Sequence, residues 1–241
     1  MKIAIISDIH SNCYSLEVFK SSLEQHKADI VFCCGDIFGY YPWAAKTYRI
    51  LSSIDLPIVY IKGNHDQMIL NKSVSAGYKV MASYGQAIDQ NTAELKEQEP
   101  GAIDLLKQLS FKTFYKTSSY NYTLVHGTPE DSENGRYYPD DQNDYSWFPG
   151  YNDFLILGHT HYPLYKNCST GGTIINPGSI GQPRDGNTNP SWVLWNEETR
   201  EFKLLRYSYD ISAAIHDLKM MNWDERAIMA LQKNKPGKLL V

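Results

Sequence analysis

The stretch Ala28–Asp36, ADIVFCCGD, is apolar from Ile30 through Cys34 and then stops on a glycine and an acid. An uninterrupted apolar run of this length is what a strand covered on both faces requires, and such strands belong to the mixed or parallel sheets of α/β folds. The pattern recurs on either side, as KIAIISD over residues 2–8 and LPIVYIKGNHD over residues 56–66. Each run leaves an Asp or Asn at the C-terminal end of its strand, where open α/β sheets gather their ligands. Further along, YTLVHG (122–127) and DFLILGHTH (153–161) deliver His126, His159 and His161 in the same way. Gly35, Gly63, Gly127 and Gly158 adjoin these residues, consistent with tight turns that bring backbone close to what is bound there.

The residue types at these strand ends describe a chemistry. Asp8, His10, Asp36, Asn64, His126, His159 and His161 form seven candidate metal ligands, and five of the chain's seven histidines fall in the blocks that carry them. Imidazole nitrogen mixed with carboxylate and amide oxygen suits borderline cations such as Mn2+, Fe2+ and Zn2+, whereas Ca2+ and Mg2+ sites are usually all oxygen. Seven ligands exceed the three or four that one zinc ion takes, and they suit two ions if one carboxylate bridges. Two cations roughly 3.5–4 Å apart can clamp both oxygens of an in-line displacement and acidify a water between them. Phosphate ester hydrolysis needs both services, because its transition state spreads negative charge over the phosphoryl oxygens.

The ordered series D-x-H at 8–10, GD at 35–36, GNHD at 63–66, His126 and GHTH at 158–161 resembles the calcineurin-like metallophosphoesterases. Its blocks span residues 8–161, or extend to Arg184 with NPGSIGQPR included. The resemblance implies an α/β fold, a four-layer α/β/β/α sandwich of two mixed β-sheets flanked by helices. It implies that Asp8, His10, Asp36 and His161 hold one cation, and that Asp36, Asn64, His126 and His159 hold the other. It implies that His65 stands beside the leaving oxygen and that Asp66 orients its ring. Two divalent transition-metal ions are expected, Mn2+ foremost, with Fe, Zn or Ni as alternatives.

Composition narrows the partners. With 42% hydrophobic residues and a net charge of −4, the chain reads as an ordinary globular protein without the basic surface that long nucleic acid needs. Cys13, Cys33, Cys34 and Cys168 form no CxxC pair, so buried thiols are expected rather than a disulfide framework. No apolar run approaches the length of a membrane helix, and the chain starts directly on a strand, which points to the cytoplasm and to no membrane partner. No heptad or apolar stripe announces an interface, and the oligomeric state is left open.

We read residues 1–241 as a single metallophosphoesterase domain with a helical, lid-like insertion at about 72–109. Within it VSAGYKVMASYGQAI, TAELKEQ and PGAIDLLKQL read as helices, with Pro100 in a first turn. Such helices either close over the strand ends or simply cover a sheet. Two aromatic stretches adjoin ligand blocks: GYYPWAA after Asp36, with Tyr40, Tyr41 and Trp43, and residues 128–151, with Tyr137, Tyr138, Tyr145, Trp147, Phe148 and Tyr151. The first lies close enough in sequence to line a pocket; the second could stack a nucleobase, pack on itself as a surface loop or form a dimer contact. Arg184 is the candidate phosphate fork, with a surface ion pair as the alternative. Substrate contacts are expected from Arg184, Tyr40 and Asn64. The tail from Arg200 reads as a strand, FKLLRYSY, a helix, ISAAIHDLKMMN, in which His216 is structural, and a basic end.

The expected activity is hydrolysis of a small phosphodiester, nucleotide or phosphoanhydride by hydroxide held between two cations. Protein phosphatases and symmetric diadenosine tetraphosphatases carry an arginine shortly after GD and usually Glu after GNH. Here GDIFGYYP and GNHD stand instead, closer to small bacterial and archaeal phosphodiesterases, some of which cleave dinucleoside polyphosphates asymmetrically. A phosphoprotein phosphatase and a non-catalytic interaction module are the competing readings.

Overall fold

Three parallel strands carry the first acidic blocks: β1 (Lys2–Ile6), β2 (Ile30–Cys33) and β3 (Ile58–Tyr60). The computed structural model describes residues 1–74, 77, 84–143, 145, 150 and 152–233. The remaining strands are β4 (Lys112–Lys116), β5 (Asn121–Val125), β6 (Asp153–Ile156), β7 (Pro163–Asn167), β8 (Thr173–Pro177), β9 (Ser191–Asn196) and β10 (Glu201–Arg206). They form two mixed five-stranded sheets, one in the order β10-β9-β1-β2-β3 and the other β4-β5-β6-β8-β7. The α/β class and the paired mixed sheets are as expected.

Alternation along the two-faced strands decides how the layers stack. On β1, Ile3 and Ile5 face the second sheet and meet Phe32, Leu124, Phe154 and Ile175, while Ala4 and Ile6 face the helices. Each fully buried Ile contributes roughly 1.5–3 kcal/mol. A one-residue slip between β1 and β2 would send these side chains to the wrong layer, so the register Ile5 to Phe32 is strongly specified. Parallel pairing of β5 with β6 and of β6 with β8 aims the second sheet's strand ends at those of the first.

The helices are α1 (Cys13–His26), α2 (Ala44–Ser52), α3 (Asn64–Val74), α4 (Gly85–Gln98), α5 (Pro100–Gln108), α6 (Ile211–Met220) and α7 (Glu225–Leu231). Their buried residues, among them Leu16, Phe19, Ile88, Leu95, Leu218 and Ile228, join the cluster on the first sheet. The outer face of the second sheet is covered instead by Tyr137 and Tyr145 over Val125, Leu155 and Ile174.

The helix expected over 74–88 falls mostly outside the described residues, at 75–76 and 78–83, and its end, 85–88, opens α4. One local reading changes. α3 begins ten residues earlier, inside GNHD, because the Asp66 carboxylate in its first turn accepts from the N–H of Gly63 at 2.9 Å. Pro100 opens α5 as expected, and His216 is exposed on α6. The basic end lies largely outside the described residues.

Candidate metal centre

The two sheets point the C-terminal ends of β1, β2, β3, β5 and β6 at one place, and the loops leaving them are held in unusual backbone. Asp8, His10, Asp36, His159 and His161 all have positive φ, at 54°, 51°, 51°, 66° and 63°. None is glycine, and each such conformation costs on the order of 1–3 kcal/mol that the surroundings must offset. Backbone hydrogen bonds across the loops supply that support: the N–H of His10 donates to the carbonyl of Asp36 at 2.9 Å and that of Gly158 to the carbonyl of His126 at 3.0 Å. Gly63 shows how tightly the loops meet, since a Cβ there would lie 2.0 Å from Oδ1 of Asp36.

The seven candidate ligands are all buried. Three groups present donor atoms within 4.8 Å of one another: Asp8, His10 and His161; His10, Asp36 and His65; and Asp36, His126 and His159. Asp36 is common to the second and third, so its carboxylate sits between them, and Asn64 joins from the side with Oδ1 3.2 Å from Nε2 of His126. Nε2 of His161 lies 3.3 Å from Oδ1 of Asp8, and Nε2 of His10 and His126 lie 3.6 and 3.5 Å from Oδ2 of Asp36. These separations exceed those of good hydrogen bonds.

The donor set fits divalent cations on two observations. Oδ1 of Asp8 and Nε2 of His159 are buried without a hydrogen-bond partner, an arrangement that is costly unless something else satisfies them. The far nitrogens of two rings are also anchored: Nδ1 of His126 donates to the carbonyl of Cys34 at 2.8 Å, and Nδ1 of His161 donates to the carbonyl of Gln182. In a neutral imidazole this turns the Nε2 lone pair toward the cluster, the usual outer support of metal-binding histidines.

Burial and the crowded carboxylates set the charge. Burial holds His10, His65 and His161 below the ordinary imidazole range and brings His159 down to about 3. Burial pushes Asp8 up, helped by the neighbouring Asp36 charge, whereas Asp36 is carried well down against burial by His126 and His65. Burial opposes a charge on His126, yet Asp36 lifts it to about 9.

His65 stands beside the cluster, its ring 4.9 Å from His10, 4.6 Å from Tyr40 and 4.9 Å from Tyr84 between centroids. Its Nδ1 is buried without a partner. Asp66 differs from expectation. Its carboxylate accepts from the N–H groups of Ile37, Phe38 and Gly63, so it ties the β2 and β3 loops together and does not hold the His65 ring. Backbone donors claimed it because it opens a helix whose neighbouring loop has unpaired N–H groups.

Arg184 is half-buried, donates to the Tyr40 hydroxyl at 3.0 Å and to Oε1 of Gln182 at 3.2 Å, and has no carboxylate within 4 Å among the described residues. The ion-pair alternative is not what the structure contains. Of the GYYPWAA aromatics only Tyr40 reaches the centre, because Tyr41 and Trp43 are buried in the core. Tyr137 and Tyr145 are likewise buried, 5.3 Å apart on the outer face of the second sheet, and Tyr138 packs on Tyr162. Trp147, Phe148 and Tyr151 lie outside the described residues.

Asn91 escaped the sequence reading. Fully buried on α4, it accepts from Oγ of Ser11 at 2.7 Å and from the N–H of Gly39 at 2.9 Å, and donates to the carbonyl of Tyr41 at 2.8 Å. It thereby pins the loop carrying Tyr40, yet within QNTAELKEQ nothing sets it apart from a solvated helix face.

The sequence model of the Calcineurin-like phosphoesterase superfamily domain matches residues 1–200. An uncharacterized protein of Methanocaldococcus jannaschii is 29% identical over 228 residues, covering 88% of this chain and 89% of that protein. A metallophosphoesterase from Sphaerobacter thermophilus shares the fold with a TM-score of 0.78 at 24% identity, over 97% of this chain and 100% of that one. A hypothetical protein from Pyrococcus horikoshii does so with a TM-score of 0.81 at 18% identity, over 98% and 99%. The chain belongs to the calcineurin-like phosphoesterase superfamily, whose members are divalent-metal-dependent hydrolases of phosphoric esters.

Proposed function

We propose that this chain hydrolyses a small phosphodiester, nucleotide or phosphoanhydride, using Asp8, His10, Asp36 and His161 for one cation and Asp36, Asn64, His126 and His159 for a second. The observation that carries the reading is the convergence of buried, partly unpaired nitrogen and oxygen donors about Asp36. Two such cations supply Lewis acidity and positive charge to the reacting phosphoryl group. Mn2+ is the first choice for this donor set, then Fe, Zn or Ni.

The chain's own residues supply the rest. Burial disfavours the charged form of the His65 ring, so the neutral imidazole brings one N–H to the departing oxygen and donates a hydrogen bond that strengthens as charge builds there. Asp66 is a positioning residue, holding the start of α3 so that the His65 ring meets Tyr40 and His10. The Arg184 guanidinium, free of carboxylates among the described residues, offers a planar fork to a phosphoryl oxygen with Tyr40 beside it, while Asn64 approaches the substrate from beside His126. Residues 1–241 act in this reading as one catalytic domain in which α4 and α5 roof the strand ends. Four cysteines, all buried in the fold, suit a reducing cytoplasm.

The test is hydrolysis of bis(p-nitrophenyl) phosphate by purified protein with Mn2+, abolished by chelator and restored by metal. Absence of phosphodiester turnover with Mn, Fe, Zn and Ni alike would leave the non-catalytic alternative. A preference for phosphopeptide would move the protein to the phosphoprotein phosphatases.

A further inference from the structure

A cavity of about 230 Å3 opens beside the centre, walled by Tyr40 and Tyr84 and floored by Ala87, Ala227 and Ala230. We propose that it is a nucleobase subsite, so that the substrate of the site described above is a nucleoside-bearing phosphate ester or anhydride. The inference rests on the phosphoesterase reading and adds to it.

Continuity comes first. Tyr40 belongs to both places: its ring meets His10 at 4.3 Å and its hydroxyl meets Arg184 at 3.0 Å, while the same residue borders the cavity. Tyr84 repeats the link, lying 4.9 Å from the His65 ring. A phosphoryl group at the cluster therefore has the cavity as its neighbour. The size is below the roughly 300–1,000 Å3 of pockets that hold a whole ligand, so it takes one ring system and not an entire nucleotide.

The lining selects a flat, uncharged, amphipathic group. The Tyr40 and Tyr84 rings are 5.6 Å apart at 74°, so a planar occupant stacks on one and meets the edge of the other. Gln86 and Gln182 bring amides that can donate to and accept from a base edge. Among the described lining residues the one cation is neutralised, since Nη2 of Arg226 donates to Oδ2 of Asp224 at 2.6 Å, which disfavours a second phosphate there. Trp223 anchors this wall to the site by donating from Nε1 to the carbonyl of Tyr40 at 2.8 Å. Residues 223–230 lie beyond the span matched by the family model, which ends at 200.

Inhibition of bis(p-nitrophenyl) phosphate turnover by AMP, UMP and ribose 5-phosphate tests the assignment, alongside calorimetric binding of the same three. The nucleotides should bind about tenfold or more tighter than ribose 5-phosphate, the scale of one base stacked on an aromatic ring. Ala230→Trp, which fills the cavity, and Tyr84→Leu, which removes a wall, should each shrink that ratio toward one, with melting curves confirming folded protein. Equal affinity for AMP, UMP and ribose 5-phosphate in the unsubstituted enzyme, or an unchanged ratio in both folded variants, overturns the subsite while leaving the phosphoesterase intact. If no phosphodiester is turned over, the underlying reading has failed, and the calorimetric ratio still decides for or against the cavity.

Discussion

Two aromatic stretches follow ligand blocks in this chain, one after Asp36 and one after His126, and the fold uses them in opposite ways. The first crosses the strand ends, clamped by Asp66 and Asn91, and leaves Tyr40 against His10, His65 and Arg184. The second turns onto the outer face of the second sheet, where Tyr137 and Tyr145 bury Val125, Leu155 and Ile174. The difference follows from unmet burial. The buried faces of the described helices all serve the first sheet, so an apolar face of the second had to be covered by the loop leaving β5. Proximity to a ligand in sequence thus says little about proximity to the substrate.

The largest effect that would sharpen this contrast is expected at Asp36. Asp36→Asn should lose bound metal and at least about a thousandfold in kcat/KM, since the cations supply several kcal/mol and each 1.36 kcal/mol is tenfold in rate. Metal analysis with steady-state kinetics checks it, and full turnover in that variant would dismantle the proposed ligand set. On the other side of the comparison, Tyr137→Ala should cost about 3 kcal/mol of stability by denaturant unfolding. Its metal content and specific activity should match the parent protein. A folded Tyr137→Ala protein with unchanged stability but altered KM would return that stretch to the substrate.

A smaller loss is expected at His65→Ala, about a hundredfold in kcat with both metals retained, the usual contribution of one hydrogen-bond donor to a developing charge. If metal content falls with it, His65 is a ligand and not a donor to the departing oxygen. The mildest effect is on pH. A cation must displace the proton from His126, whose folded value lies near 9, so its binding releases that proton and tightens as pH rises toward that value. The change should approach tenfold per pH unit for that one group between about pH 7 and pH 9 and flatten above it, read by metal titration at several pH values. Affinity that weakens as pH rises across that window would contradict the link between His126 and Asp36.

Much of the fold was legible because its strands are covered on both faces: the runs Ile30–Cys34 and Ile3–Ile6 are apolar at consecutive positions, as a strand between two layers requires. The ligand positions were legible because each ends such a run. The role of Asp66 was not, because its partners are backbone N–H groups of a loop 28 and 29 residues away. Asn91 was hidden for the same reason, with partners 50, 52 and 80 residues distant. The start of α3 inside GNHD depended on that same Asp66 contact, and the cavity on residues from α4 and α7 meeting Tyr40.

By itself the sequence determined the α/β class and the donor atoms, since periodicity and residue chemistry are local properties that no packing can alter, while the pairing of two sheets was implied by the family resemblance. Tertiary structure alone decided which aromatics face the reaction, which carboxylate serves the backbone and how five ligand residues are held at positive φ. Those outcomes depend on contacts between residues far apart along the chain, where the burial of one sheet face or one unpaired N–H outweighs any local preference.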